Sequence, residues 1–331
     1  MNLEPENATR VAADALRGLA FRALHAAGLV ASRAELLSRL LVENDLRGVN
    51  SHGTARLPRY CHDLQAGVLN PDPAVRVVRE TANSLLVDGD GGLGYFPAYE
   101  GTLRLIDKAV AEGIAILLTR NHNHIGAAGI YSRMTLPHDL LCYVTSGHQL
   151  RLRPGDPIHA VAGGSPMSFS APAAEEDPLV LDFGAMHDLY VHDPHRDEIG
   201  ALAPGLVLRS IGLGAICQAW GGLLSGLTVD PARSQRRWAG GNQGALMVAW
   251  RIDLFMDPAE YRREIDAYVR ATRQMAPLPG LQPYLPGGPE AEKERRYAVE
   301  GIPLGEEHRR ALEALAEELH LLPPWRTETA R

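Results

Sequence analysis

Apolar side chains recur at helical spacing over residues 7–41, where Val11, Ala15, Leu19, Leu24, Leu29, Leu36 and Leu40 share a stripe. Gly28 interrupts it and Ser32 offers a capping hydroxyl, so the spacing predicts two helices rather than one. Residues 70–73, Asn-Pro-Asp-Pro, read as a turn, and beyond them the period changes. Residues 75–78 and 84–87 have strand composition, 97–112 returns to helical spacing, and 114–119 is a continuous apolar run of the kind that forms a buried strand. Short apolar runs follow at 140–145, 167–171 and 179–182, and a strand-like run at 245–255. An amphipathic helix is expected over 258–275, carrying Tyr261, Ile265 and Val269, and a last helix over 306–319 after a Pro- and Gly-rich connection at 277–289. Alternating strands and helices predict an α/β core. The expected division is an N-terminal helical segment, residues 1–78, a sheet-bearing domain, 79–256, and a C-terminal helical segment, 257–331, that packs with the N-terminal one.

The most apolar stretch, residues 206–227, is long enough to cross a bilayer, yet it holds Arg209, Gln218 and several glycines. It is expected to be a buried, glycine-packed helix, with no membrane as a partner. Acidic residues exceed basic ones by 40 to 33, a formal charge of -7, so the chain lacks the electrostatic footprint of a nucleic-acid binder. Cys61, Cys142 and Cys217 lie far apart, in neither a disulfide framework nor a zinc spacing. Residues 1–10 are acidic and polar rather than signal-like, and a reducing, cytoplasmic location is the expectation.

Three stretches carry residues suited to chemistry. Gly89, Gly91 and Gly94 spell G-x-G-x-x-G after a strand. A Rossmann site also needs an acid at the end of the next strand for the ribose hydroxyls, and that strand ends in Thr119, Arg120 and Asn121, so a glycine-rich turn is expected instead. Residues 45–60 set His52 between flexible backbone positions, with Arg47 five residues before it and Arg56 four after. A histidine that exchanges a proton near neutrality beside an arginine fork that matches a carboxylate describes a site for an acidic substrate. A helix-to-loop junction with solvated arginines fits the same spacing. Residues 120–129 crowd His122, Asn123 and His124 at a strand end, where α/β sheets hold their ligands. His187, His192 and His195, with Asp188 and Asp193, are ligand types without a standard zinc spacing, and no metal site is expected there.

Taken together, these stretches resemble the malate/L-lactate dehydrogenase-like family, which includes L-sulfolactate, ureidoglycolate, 2,3-diketogulonate and Δ1-piperideine-2-carboxylate enzymes. Residues 45–60 resemble its D-x-R-G-x-x-S-H-G-x-x-R-x-P-x-Y signature, 120–131 its R-N-S-N-H-x-G-x-A-G-x-Y segment, 163–166 its G-T-N-P, and 180–182 its strand ending in aspartate. The resemblance implies a non-Rossmann α/β fold, a central mixed sheet flanked by helices, with a helical domain built from the two terminal segments. It also implies a homodimer that uses NADH or NADPH to reduce a small carboxylate substrate, either a 2-keto acid or a cyclic 2-imino acid. Carried residue by residue, His52 matches the proton donor and Arg56 the carboxylate clamp, with Arg47 the next candidate, while His124 and Asp182 match positions lining the cleft where nicotinamide and substrate meet. Ser165, Arg209 and Gly287 join His124 and Asp182 as implied cofactor contacts. Between Asp182 and Arg209 the chain departs from the family, lacking both of its lysines, with Arg209 as their substitute, and His148 stands in a segment where the family writes T-N-S. That departure supports a second expectation, a redox-silent relative using the same His and Arg for proton transfer as an isomerase, cyclase or lyase.

Overall fold

The computed structural model describes residues 4–190 and 193–325. The chain divides into two compact units, Met1–Asp72 with Gly288–Arg331, and Pro73–Gly287.

The first unit opens with a short strand β1 (Thr9–Val11) and helices α1 (Ala13–Ala26) and α2 (Ala31–Leu46). The apolar stripe becomes their shared core: Leu16, Leu19, Ala23 and Leu24 of α1 and Leu37, Leu40 and Leu41 of α2 are buried. The break falls at Gly28 as the spacing predicts, in a left-handed conformation (φ 102°). Ser32 is not the cap, however. Val30 holds that position in extended conformation, and its N–H donates to Pro71 O (3.2 Å). Two single 3-10 turns, Asn50–His52 and Thr54–Arg56, lead into α3 (Leu57–Gln65), started by Pro58 in its first turn.

The second unit carries a seven-stranded sheet. In chain order it contains β2 (Arg76–Glu80), β3 (Ser84–Asp88), α4 (Tyr95–Glu112), β4 (Ile114–His122), α5 (Gly129–Met134), β5 (Leu140–His148), β6 (Pro166–Ala171) and β7 (Leu179–Gly184). Helices α6 (Arg196–Leu202) and α7 (Pro204–Cys217), strand β8 (Gln243–Arg251) and helix α8 (Pro258–Thr272) complete it. The strand order is β2-β3-β4-β8-β5-β6-β7, and of these neighbours only β3 and β4, joined through α4, run parallel. This is the expected α/β architecture with a mixed, largely antiparallel sheet flanked by helices, and it is not a Rossmann fold.

The chain then returns to the first unit with α9 (Gly288–Glu300), β9 (Ile302–Leu304), antiparallel to β1, and α10 (Glu306–Glu318). Residues 73–78 and 257–287, which the hydropathy pattern grouped with the end segments, sit with the sheet instead. The Asp266 carboxylate of α8 explains part of this, because it accepts the backbone N–H groups of Ala174, Glu175 and Glu176 (3.0–3.3 Å) and ties the helix to the β6–β7 connection.

The apolar stretch expected to be a buried, glycine-packed helix is, within this chain, buried on one face. Helix α7 runs on through one π-helical segment, Gln218–Leu223, and Val207, Ile211, Gly214, Cys217, Gly221 and Gly222 face inward. Glycine packing holds on that face, where a Cβ on Gly221 would lie 2.6 Å from Gly147 N. Leu206, Leu213, Ile216, Trp220 and Leu224 form the opposite stripe and are exposed, Leu206 by 56% and Leu224 by 61%. By length and composition alone, Pro204–Leu223 is also apolar enough to cross a membrane.

Candidate active site

In the first unit the turns after α2 are built around a buried carboxylate. Asp45, at the C-terminal end of α2, is fully buried, and its Oδ2 accepts both the Thr54 N–H (2.9 Å) and the Thr54 hydroxyl (2.6 Å). Because that hydroxyl proton points at Asp45, Thr54 Oγ1 accepts in turn from Nε2 of His308 on α10 (3.0 Å). Burial raises the Asp45 carboxyl to about 7, against the lowering pull of Thr54, and lowers His308 to about 4. Any side chain at residue 53 would overlap the Asp45 carboxylate, so the spacing of His52 from this anchor demands Gly53. Asn44 Nδ2 holds His52 O (2.9 Å) from the same helix end.

This framework presents His52 and Arg56 together. Burial, reinforced by the Arg56 charge, brings His52 down to about 4, so its imidazole is neutral at pH 7, with Nδ1 3.0 Å from Ser51 Oγ. Arg56 Nε donates to Ser51 O (2.6 Å), its side chain is exposed, and among the described residues it has no carboxylate partner. Arg47 is engaged elsewhere, in a bidentate pair with Glu294 of α9 (2.9 and 3.1 Å).

In the second unit the glycine motif serves the strand-end loop rather than a phosphate. Gly89 N–H donates to Arg120 O (3.0 Å), Gly91 N–H to Asn121 O (2.8 Å) and Gly94 N–H to His124 O (3.0 Å). With its amides taken, the loop is no nucleotide cradle, and its glycines are explained by close approach: a Cβ on Gly89 would lie 2.8 Å from His122 Cβ. His122 is wholly buried, its Nδ1–H donating to Asn123 O (2.6 Å) and its Nε2 accepting from Thr119 (2.8 Å), and burial lowers it to about 4. His124 is half-buried with its ring edge-on to Tyr95.

Three of the implied cofactor positions converge on β7. Asp182 lies in it, and its Oδ2 accepts the Gly129 N–H at the start of α5 (2.8 Å). Ser165 O accepts the Ala185 N–H just beyond the strand (3.1 Å), while the Ser165 hydroxyl is turned back to Ala162 O. Pro286 O accepts the Val180 N–H (2.9 Å), which sets buried Gly287 (φ 98°) against the same strand. Arg209 is exposed on α7 between Val207 and Ile211, whose side chains join a cluster with Ala162, Met186 and Leu189.

Beside that cluster lies a cavity of about 310 Å³, lined by His148, His159, Gly163, Gly164, Met186 and Tyr190 among others. Burial lowers His148, and burial with the Arg196 charge lowers His159. His148 stood out in the sequence; His159 and Tyr190 did not, since no motif marks them. His187 and His195 are exposed, each within 3.4–3.7 Å of a carboxylate, and His192 lies outside the described residues. Among the described residues no three His, Cys, Asp or Glu side chains group as metal ligands.

A mixed, largely antiparallel sheet with helices on its faces and a His-Arg turn in a separate helical unit define a class distinct from nucleotide-binding Rossmann enzymes. The malate/L-lactate dehydrogenase family profile matches residues 11–186 and 190–313, and the chain belongs to that family of oxidoreductases. It is 36% identical over 177 residues to a malate dehydrogenase of Pyrococcus horikoshii, a match spanning 54% of this chain and 49% of that protein. Its identity to an L-sulfolactate dehydrogenase of Methanocaldococcus jannaschii is 26% over 352 residues, covering 97% of this chain and 98% of the relative. Among solved structures, malate dehydrogenase from Pyrococcus horikoshii OT3 superposes with a TM-score of 0.83 at 25% identity, covering 98% and 99% of the two chains.

Proposed function

We propose that the protein is an NAD(P)H-dependent reductase of a small 2-keto acid or cyclic 2-imino acid, with His52 exchanging the proton and Arg56 holding the substrate carboxylate. The observation that carries this reading is the His52–Arg56 pair: a neutral, mostly buried imidazole beside a guanidinium whose Nε is fixed on Ser51 O and which has no carboxylate partner among the described residues. Arg47, already paired with Glu294, is the poorer clamp.

The cavity beside α7 supports a place for the nicotinamide ring of the cofactor. The cavity of about 310 Å³ is large enough for a flat ring, its walls are mainly apolar, and His148, His159 and the Tyr190 hydroxyl offer uncharged hydrogen-bonding edges. Ser165, Asp182, Gly287 and His124 are the proposed further cofactor contacts, with Arg209 for the phosphates. When bound, the cofactor supplies the hydride. The chain's own residues orient the acid and move the proton. A carboxylate docked on Arg56 cancels the positive charge that helps to hold His52 down, so His52 gains basicity as substrate arrives and can donate to the carbonyl or imine heteroatom. In the opposite direction the resting neutral imidazole is already a base for the hydroxyl proton of a 2-hydroxy acid.

The exposed stripe on α7 is proposed as the contact between two copies of the chain, since a large apolar patch on a helix is a usual mark of an interaction surface. The redox-silent alternative is separated by one experiment. Titrating the protein with NADH and with NADPH while following nicotinamide fluorescence should give saturation below millimolar concentration with at least one of them. No saturation with either would remove the reductase.

A further inference from the structure

Five arginines, Arg151, Arg153, Arg233, Arg236 and Arg237, fall in two loops of the sheet unit that are laced together. Gln149 is the knot. Its N–H donates to Asn242 O (2.8 Å), its Nε2 to Thr228 O (2.5 Å), and its Oε1 accepts from Arg236 Nη2. The 228–242 loop is also tied to the end of β4, where Asn123 Nδ2 donates to Gly240 O (3.0 Å). In the ladder Gln243 pairs with both His122 and His148, so these loops gather at the sheet end that carries the His122–His124 turn. Strand ends of this kind are where α/β sheets hold ligands.

The electrostatics there are uncompensated. Arg236 is half-buried, and the Gln149 side chain that it holds stands two residues before Arg151, so the two arginines flank one loop crossing. Among the described residues none of the five arginines has a carboxylate at ion-pair distance, although the chain carries 40 acidic residues. The acids in the same loops are engaged in their own turns, Asp156 accepting the Arg153 N–H (2.8 Å) and Asp230 the Ala232 N–H (3.0 Å). Arg237 lies over the ring of Trp238 (5.6 Å), whose Nε1–H is buried without a hydrogen-bond partner. Like charges in a half-desolvated place repel. One bound oxyanion answers the repulsion, since guanidinium forks match its edges.

We propose that Arg151 and Arg236 form a site at this end of the sheet for a phosphate or sulfonate group. Two forks suit a tetrahedral group, which can present an edge to each, better than a lone carboxylate, which presents only two oxygens. Which molecule bears the group depends on the reductase reading: it is either a phosphate of the dinucleotide or the distal acid of the substrate.

The test begins with inorganic phosphate, titrated calorimetrically into the wild type, Arg151→Gln, Arg236→Gln and, as a distant surface control, Arg76→Gln. Saturable binding weakened about tenfold or more in the first two variants and unchanged in the control is the expected result, in line with the strength of charge-assisted hydrogen bonds. Binding unaffected by both substitutions overturns the site, and because Arg151 is exposed its variant reads the site even if Arg236→Gln folds poorly. Two ratios then identify the source. Loss of a preference for NADPH over NADH in Arg151→Gln assigns the site to a cofactor phosphate. A tenfold rise in KM for a 2-keto acid with a distal sulfonate, but not for its methyl counterpart, assigns it to the substrate. Weakened phosphate binding with neither ratio moved reduces the site to an adventitious ion and overturns its functional role. Phosphate binding without turnover on any keto or imino acid removes the reductase and leaves the anion site standing.

Discussion

At the scale of single residues, the proposed proton-exchanging histidine rests on groups behind it. Thr54 donates its only hydroxyl proton to Asp45 and accepts from His308, so a Thr54→Val replacement leaves His308 Nε2 without this partner and the buried Asp45 Oδ2 with the backbone N–H of residue 54 alone. Loss of the hydroxyl's two hydrogen bonds costs about 1–3 kcal/mol in all, and urea unfolding should show a destabilisation of that order. Replacing His52 with alanine removes the proton route but no core packing, and turnover should fall roughly 10²–10⁴-fold with the unfolding midpoint little changed. Turnover within about threefold of wild type would contradict the assignment. Arg56 separates two effects. Arg56→Lys keeps the charge but loses the fork and should raise KM for the acid, whereas Arg56→Gln also lifts a repulsion from His52, whose pKa, followed by NMR, should move up from about 4. The His52 and Arg56 positions were legible because they sit in one contiguous signature. The Asp45–Thr54–His308 chain was not, since Thr54 and His308 are 254 residues apart and no local pattern connects them.

At the scale of elements, what could be read depended on whether an element buries a regular face. The runs at 114–119, 167–171 and 179–182 appear as β4, β6 and β7, because each lies within the sheet's apolar interior or along its ladder, and α10 matches its amphipathic stripe. Strand β4 runs three residues further than its apolar run, through Arg120, Asn121 and His122, where the glycine loop, not hydropathy, determines the backbone. Helix α9 left little trace in the pattern because Tyr297 is its one fully buried residue, and β1 and β9 are three residues each. The exposed stripe of α7 shows the limit of composition alone: glycines and leucines together suggested a buried, glycine-packed helix, while within one chain only the glycine face is covered. If that stripe joins two copies, Leu213→Glu with Ile216→Glu should leave secondary structure intact and convert a dimer to a monomer in light scattering at micromolar concentration. A wild type that is already monomeric there would remove the interface.

At the scale of the whole molecule, the fold stores a pH dependence in its buried histidines. His52, His122 and His308 are each lowered to about 4 by burial, while in the unfolded chain they titrate near 6.5. Above pH 6.5 both states are neutral at these positions and nothing is gained or lost. As the pH falls below 6.5 the unfolded chain takes up protons that the folded one refuses, so stability declines until the folded histidines titrate near 4. Each contributes up to about 1.4 kcal/mol per pH unit across that window. Asp45 acts in the opposite direction, because its folded value of about 7 lies above the unfolded 3.8: its contribution is fully present below pH 3.8 and is lost as the pH rises through about 7. Three histidines outweigh one carboxyl between pH 6.5 and 4, so urea unfolding at fixed temperature should show stability dropping steadily over that interval. Replacing His308 with glutamine, which keeps a hydrogen-bond donor for Thr54 without an ionisable ring, should flatten the slope by about one proton's worth, and an unchanged slope would mean that His308 charges freely in the folded state.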